Sequence, residues 1–390
     1  MAILGDNKDR RERRIEERRA KLQEQASART SASPAPSKKK LPLKVKIKVI
    51  AGAIVLLLAL FGILRLVDYL SSGTEVFLTD EGFTHADRFS DCVVLNGIDV
   101  STHQGEDINW KKVKNGGAEF VFIRAGYRSA DDGSLHEDEN FAQNLKNANK
   151  AGLMTGVYFY SQALTPAEAE EEADYCMNLI KGKDIDLPVV IDFEIYPDGR
   201  LNQKIDSGEL YAASLYHDIV LAFCRKVEAA GYESAVYANL DMLTHYMDAS
   251  LLDDSGTIWL AQYSESPSLE ADYWFWQATD SGQVGGIEGN VDHDFWYLEP
   301  GKVYETRSAG SPGPRISIGD CKIKFNKDSY KIKNRRAVPK LSLRCGGKNM
   351  REGSDYTLSV VNNTKSGTGY VIIRGKGLYK DWIMLPFTIE

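Results

Sequence analysis

Cysteine is scarce in this sequence. The five residues Cys92, Cys176, Cys224, Cys321 and Cys345 are an odd number, too few in 390 residues for a disulfide scaffold. None has CxxC spacing, no His/Cys metal set is present, and there is no nucleophile elbow. Nothing in the sequence calls for a metal or a cofactor. Cys176 and Cys224 fall in helical patterns and read as core, whereas Cys321 and Cys345 share one small C-terminal stretch and could pair.

Negative charge is sparse only at the beginning. Residues 1–48 hold 15 Lys and Arg against six Asp and Glu, a net of +9, while the whole chain is at −7. Charge is then missing altogether from Val49 to Leu64, "VIAGAIVLLLALFGIL". A membrane span needs about 20 mainly apolar residues, and Lys48 and Arg65 can reach the two interfaces from its ends. The sequence therefore predicts a basic arm over 1–46, a transmembrane anchor over 47–70 and a linker over 71–92. With the basic residues before the span, the N-terminus belongs in the cytoplasm and the remainder outside. A cleaved signal peptide, with the small residues Ser71–Gly73 near its end, is the alternative, but the charged arm is far longer than a signal's n-region. A nucleic-acid role for the arm is disfavoured by the apolar run directly after it.

From about Val93 short apolar runs alternate with longer amphipathic ones. Strands are predicted at Gly97–Ser101, Phe120–Ala125, Thr155–Tyr160, Pro188–Glu194, Ser234–Ala238, Thr257–Ala261, Tyr273–Gln277 and Val291–Trp296. Helices are predicted at Glu139–Ala151, Pro166–Ile180, Gly208–Ala230 and, shorter, near Met242–Met247. Thr165, Pro166 and Glu168 form a helix start with a cap, a first-turn proline and a first-turn acid. About eight strands separated by helices point to a parallel β/α barrel over 93–300, irregular because the later strands leave little room for helices. "GKVYETRSAGSPGP" marks a linker over 301–314, and 315–390 reads as a small all-β sandwich with no chemistry of its own.

The run "VVIDFEIY", Val189–Tyr196, places two acids in an otherwise apolar strand. Side chains alternate along a strand, so Asp192 and Glu194 share a face with Cα atoms about 6.5 Å apart. In a parallel barrel the reactive groups come from the C-terminal ends of the strands. Asp99 in "NGIDVSTHQG" and Asp292 and Asp294 in "GNVDHDFW" fall near other strand ends. Any one such acid is more often a helix cap or a solvated loop residue, but their recurrence on converging strands points to chemistry. Clustered carboxylates without metal or nucleophile suit glycoside hydrolysis, in which one acid protonates the leaving oxygen and a second group assists at the anomeric carbon. Tyr127, Tyr158, Tyr160, Tyr237, Trp274 and Trp276 supply faces for sugar rings, some of them necessarily core, and Gln104, Gln262 and Gln277 supply hydrogen bonds. Burial of Glu194 between apolar neighbours should raise its pKa, and the nearby acids should raise it further.

The stretches "GIDVSTHQG", "FVFIRAGYR", "AGLMTGVYFYS", "PVVIDFE", "VYAN", "WLAQY", "WFWQAT" and "NVDHDFW" resemble, in this order, glycoside hydrolase family 25, the bacterial and phage N-acetylmuramidases. The likeness runs from about Asn96 to Tyr297. It implies an irregular TIM-like barrel that cuts the β-1,4 bond between N-acetylmuramic acid and N-acetylglucosamine in peptidoglycan. By position Glu194 is similar to the family's general acid and Asp192 to its partner; Asp99 and Asp292 match the acids of the first and last strands. Two departures stand out. The family usually shows VDxN where Asp294 puts an acid, and His103 stands where it often has Trp. The C-terminal stretch resembles Ig-like repeats of Gram-positive surface proteins, which implies protein or wall contacts. The reading from a different class is a membrane-tethered protein that binds peptidoglycan, or adheres, without cutting. A chitinase is disfavoured because the DxxDxDxE strand is missing.

Overall fold

The computed structural model describes residues 76–390 except 209–212, 248, 250–251, 253–256, 306–314 and 334–335, together with Glu17, Ala20 and Lys21. The expected membrane span over 47–70, and all but those three residues of the arm, lie outside this set. Among the described residues no helix is long and apolar enough to cross a membrane.

Nine strands form the first sheet: β1 (Val93–Val100), β2 (Phe120–Arg128), β3 (Leu135–Glu137), β4 (Met154–Ser161), β5 (Val189–Phe193), β6 (Ser234–Asn239), β7 (Thr257–Ala261), β8 (Phe275–Gly282) and β9 (Val291–Leu298). Their order is β1-β9-β8-β7-β6-β5-β4-β2-β3, and β1 also pairs with β2. Eight strands thus close a barrel, with β3 as a hairpin outside the ring. The helices are α1 (Trp110–Asn115), α2 (Phe141–Ala151), α3 (Pro166–Ile180), α4 (Arg200–Asp206) and α5 (Ala213–Ala229). Helix α3 starts as predicted: the Glu168 N–H donates to Thr165 Oγ1 at 3.2 Å, and Pro166 sits in the first turn.

Within the ring one strand departs from the all-parallel expectation. β9 runs antiparallel to both β8 and β1. Its first residues therefore lie at the barrel end where β1 and β5 finish. Asp292 reaches that end from the start of its strand rather than from a C-terminal end.

Alternation sorts the side chains. Leu95, Phe120, Phe122, Val190, Trp259, Phe275 and Trp296 point inward and plug the barrel, with Phe122 stacked on Trp259 at 4.4 Å. Two glycines make room for that plug. A Cβ on Gly97 would lie 2.3 Å from the Phe120 ring, and one on Gly156 2.5 Å from Phe122. Outward residues such as Ile98, Val121, Val157 and Ile191 pack against the helices. From Val76 onward the expected linker runs along the barrel wall: Gly285 N–H donates to Val76 O, Thr84 N–H donates to Glu265 O, and Phe89 stacks on Tyr297 at 3.8 Å.

The described residues after 300 form strands, apart from one 3-10 turn at Ile318–Asp320: β10 (Val303–Tyr304), β11 (Ile316–Ser317), β12 (Lys322–Phe325), β13 (Ser329–Tyr330), β14 (Leu341–Cys345), β15 (Lys348–Asn349), β16 (Tyr356–Val361), β17 (Gly367–Gly375), β18 (Tyr379–Lys380) and β19 (Trp382–Ile389). The main sheet runs β10-β19-β17-β16 with β13 beside β19, and a smaller sheet runs β12-β14-β15. Ile323 and Leu343 of the small sheet meet Val371, Ile373 and Ile383 of the main one. A Cys321–Cys345 disulfide closes that layer.

The main sheet's other face rests on the barrel floor. Ile372, Trp382 and Met384 share a core with Val93, Trp296 and Leu298. Trp382 stacks on Tyr304 at 4.2 Å and meets Trp296 edge-on at 5.4 Å, so β10, inside the expected linker, belongs to this contact. Arg374 donates to Leu153 O at 3.1 Å and pairs with Asp186. We predict that Trp382→Ala lowers unfolding stability by about 3–5 kcal/mol, the range for emptying a buried aromatic site. The measurement is the denaturant midpoint, and an unchanged midpoint would refute the shared core.

Candidate active site

The barrel mouth is built from the inward positions of each strand that lie nearest this end, the last ones on the parallel strands and the first ones on β9. On β5, inward Val190 is followed two residues later by Asp192, and Glu194 comes just past the strand end. In the register Asp192 faces Tyr160 of β4 on one side and Tyr237 of β6 on the other. Asp99 enters from β1, Gln277 from β8, and Asp292 and Asp294 from β9. The five acids that the sequence singles out, with Tyr158, Tyr160, Tyr237 and Gln277, therefore converge.

A chain of hydrogen bonds fixes one side of this mouth. Gln277 Nε2 donates to Asp99 Oδ2 at 2.7 Å. The hydroxyls of Tyr237 and Tyr263 donate to Gln277 Oε1 at 2.8 and 3.0 Å. Trp259 Nε1 donates to Asp294 Oδ1 at 3.0 Å, and the Asp294 carboxyl lies within hydrogen-bond reach of Asp99.

Burial dominates the electrostatics. It pushes the Asp99 carboxyl well above the usual range, helped by the negative charges of Asp292, Asp294 and Asp192 and opposed by Gln277. Asp192 is likewise raised well above its ordinary value, first by burial and then by Glu194; the Arg124 guanidinium works against this. Burial raises Glu194, but its hydrogen bond with Asp192 opposes the rise, contrary to the expectation that every nearby acid would push it upward. Asp292 is raised to about 6, chiefly by burial, with Asp280 and Glu194 adding to the effect. Asp294 is raised well above its usual range by burial and by Asp292. A hydrogen bond between two carboxyl groups requires a proton on one of them. Asp192 with Glu194, and Asp99 with Asp294, lie close enough to influence each other's protonation, and Asp192 Oδ1 and Asp294 Oδ2 are buried without a hydrogen-bond partner.

Three participants are not evident from sequence. Arg124 shares inward parity with Phe120 and Phe122, which is the one signal for it. Its guanidinium donates from Nε to Asp138 Oδ2 at 2.9 Å, with Nη2 at 2.8 Å from the same oxygen. Asp138 also accepts the Thr102 and Asn140 N–H groups. It lies in a loop, where no periodicity marks it. Tyr263 is legible only as the end of "WLAQY", two positions beyond inward Ala261. A β-bulge between Arg124 and Gly126 shifts the register so that Tyr127 pairs with Tyr160. Tyr127 sits 5.3 Å from the Arg124 guanidinium and stacks on His136 of β3 at 5.1 Å.

Two candidates fall elsewhere. Trp276 is adjacent to inward Gln277 and so faces outward; it is fully buried, edge-on to Phe83 at 5.7 Å, and donates to Gln262 O at 2.9 Å. It packs the N-terminal segment and presents no face to a sugar. Gln262 accepts the Ser268 N–H at 2.9 Å and donates to Ser268 Oγ at 3.1 Å, bracing the β7–β8 loop.

Residues 98–287 match the family model for Glycosyl hydrolases family 25. The chain is 29% identical to an autolytic lysozyme of Clostridium acetobutylicum over 201 residues, which are 51% of this chain and 55% of that protein. Lysozyme M1 of Streptomyces globisporus is 28% identical over 217 residues, 51% of this chain and 67% of that protein. Among solved structures, the modular autolysin LytC from Streptococcus pneumoniae is 27% identical, with a TM-score of 0.46, over 52% of this chain and 47% of that one. The match thus spans between about half and two thirds of the length of the curated relatives. The match to the Glycosyl hydrolases family 25 model falls within the barrel, which the chain shares by similarity with these lysozymes.

Proposed function

We propose that this chain is a peptidoglycan hydrolase, an N-acetylmuramidase that cleaves the β-1,4 bond between N-acetylmuramic acid and N-acetylglucosamine. The observation that carries this reading is the Asp192–Glu194 pair at the barrel mouth, two neighbouring carboxyl groups on one strand face, both raised by burial. Glu194, past the strand end and less buried than Asp192, gives its proton to the glycosidic oxygen as the bond to the anomeric carbon breaks. The 2-acetamido carbonyl oxygen of the muramic residue closes on that carbon, while Asp192 holds the amide N–H. Water then opens the cyclic intermediate and returns a proton to Glu194. Asp99 and Asp292 line the same cleft, and Tyr127 with Tyr160 offers ring faces at its rim.

The same reading treats 47–70 as a membrane anchor with the barrel outside the cell, where its substrate lies. Labelling of single cysteines placed before and after that segment, in intact cells, tests this orientation. Labelling of both sites would sink it.

Glu194→Gln is expected to lower turnover on purified peptidoglycan by about 10²–10⁴-fold, the usual contribution of a general acid. Mass spectrometry of reduced products should find new muramic-acid ends from the wild type alone. A wild-type chain that sediments with the wall but releases no products would instead make it a non-catalytic binding or adhesion protein.

The titration of Asp292 gives a second prediction. Its folded value of about 6 exceeds the ordinary 3.8, so folding takes up a proton between those values and stability falls as pH rises through them. Asp292→Asn removes that penalty. The variant should match the wild type near pH 4 and gain stability up to about pH 6, with a plateau of about 2–3 kcal/mol at most. Unfolding midpoints across this range that stay parallel would show that Asp292 does not titrate as described.

A further inference from the structure

The C-terminal module and the barrel carry charge of opposite sign. Residues 315–390 hold 16 Lys and Arg against six Asp and Glu, a net of +10, whereas residues 76–314 hold 16 against 41. The layering decides where that positive charge goes. The main sheet is covered by the barrel on one face and by the β12-β14-β15 sheet on the other, so the small sheet's outer face is the module's far side.

That outer face is cationic. Along β12, Ile323 points into the core while Lys322 and Lys324 are exposed; along β14, Leu343 and Cys345 point in while Ser342 and Arg344 are exposed. Lys322 stands directly across from Arg344, and Lys324 across from Ser342. Exposed Lys340 extends the row, its carbonyl accepting the Asn326 N–H across the ladder. Among the described residues, none of Lys322, Lys324, Lys340 or Arg344 has a carboxylate partner. Like charges directly opposite each other destabilise a sheet. A bound anion between Lys322 and Arg344 would remove that repulsion. Same-face positions on a strand repeat at about 7 Å and strands lie about 4.8 Å apart, so the patch offers charges at regular spacing on a flat surface, without a pocket.

We propose that this face is a docking surface for a linear polyphosphate chain, a flexible polyanion of repeating phosphates. The outward positions of the two strands carry no aromatic ring on which a sugar or an unpaired base could stack, and no apolar side chain to enter a membrane. What remains is charge in register, which suits a repeating phosphate backbone. Docking of this kind holds the acidic barrel, with its mouth on the opposite side from the module, clear of the polymer. This goes beyond the hydrolase reading and does not depend on it.

The test uses the full chain and its Lys322→Glu/Arg344→Glu variant, with inorganic polyphosphate as the probe in titration calorimetry. Wild type should bind with an affinity that falls steeply with salt; the variant should bind at least about tenfold more weakly, with a log–log salt slope smaller by about two. The Cys321–Cys345 disulfide and an unchanged unfolding midpoint in the variant establish that its module is folded. Equal binding by the two proteins, or no wild-type binding at physiological salt, overturns the proposal. So does tighter wild-type binding to phosphatidylglycerol vesicles or duplex DNA than to polyphosphate, because the face would then serve a lipid surface or a nucleic acid.

Discussion

Removing carboxylates from water is the constraint on which the mouth of this barrel depends. An isolated ionised acid in a dry interior is too costly to keep, and it is retained only with a cation, with strong donors or with its proton. Asp99, Asp192 and Asp294 are all buried. The cation facing them, Arg124, is held by Asp138 through two contacts to one oxygen, so its charge is largely committed. Protons must stabilise the rest. The barrel meets this need by pairing acids, Asp192 with Glu194 and Asp99 with Asp294, each pair able to keep one proton. The aromatic plug beneath, with Phe122 against Trp259 and Trp296 against Phe275, keeps water from entering below and so maintains the burial that raises these groups. Packing and proton affinity are therefore two aspects of one arrangement.

Much of this arrangement is legible in the sequence, because strand periodicity carries direct geometric information. Asp192 and Glu194 are two residues apart, and alternation alone puts them on one face. The same rule, applied to β8, assigns Gln277 to the mouth and excludes Trp276; composition makes both of them candidates, and only parity separates them. What periodicity cannot provide is strand direction. β9 reads like any other apolar run, and only the pairing with β1 and β8 shows that it is antiparallel. Register irregularities are hidden as well. The bulge after Arg124 turns Tyr127 toward Tyr160, and nothing in "FIRAGYR" announces it. Asp138 is invisible for a simpler reason. It acts from a loop, on the Arg124 guanidinium and the Thr102 N–H, both distant in sequence.

The C-terminal module illustrates a different limit. Its strands are evident from alternation, but its relation to the barrel depends on which face each sheet presents. Trp382 and Met384 occupy alternate positions on β19 and join the barrel floor, while Ile383 between them joins the module's own core. A sheet with two apolar faces is a middle layer, and that is the physical reason this module is built onto the barrel instead of hanging from it. Ion pairs at the rim, Arg374 with Asp186 and Arg315 with Asp184, then fix the orientation. Because the floor of the barrel is occupied in this way, the free end is the one bearing the carboxylates.

The least expected residue of the site is also the one that its chemistry accommodates best. Asp294 stands where the family pattern has an asparagine, and a second buried charge beside Asp99 would be prohibitive. Its two oxygens, however, have different environments. Oδ1 accepts the Trp259 N–H, as an asparagine oxygen would. Oδ2 is buried without a hydrogen-bond partner, and Asp99 is among the groups close enough to influence the Asp294 carboxyl. A proton shared there makes Asp294 a donor from the position where an asparagine would place its N–H. The substitution thus replaces an N–H by an O–H and leaves the charge of the pair at one, so long as the proton stays. Burial is what keeps it there, and burial is set by the same aromatic floor that holds the module. The tolerance of this site for an additional acid is therefore a property of the packed barrel as a whole.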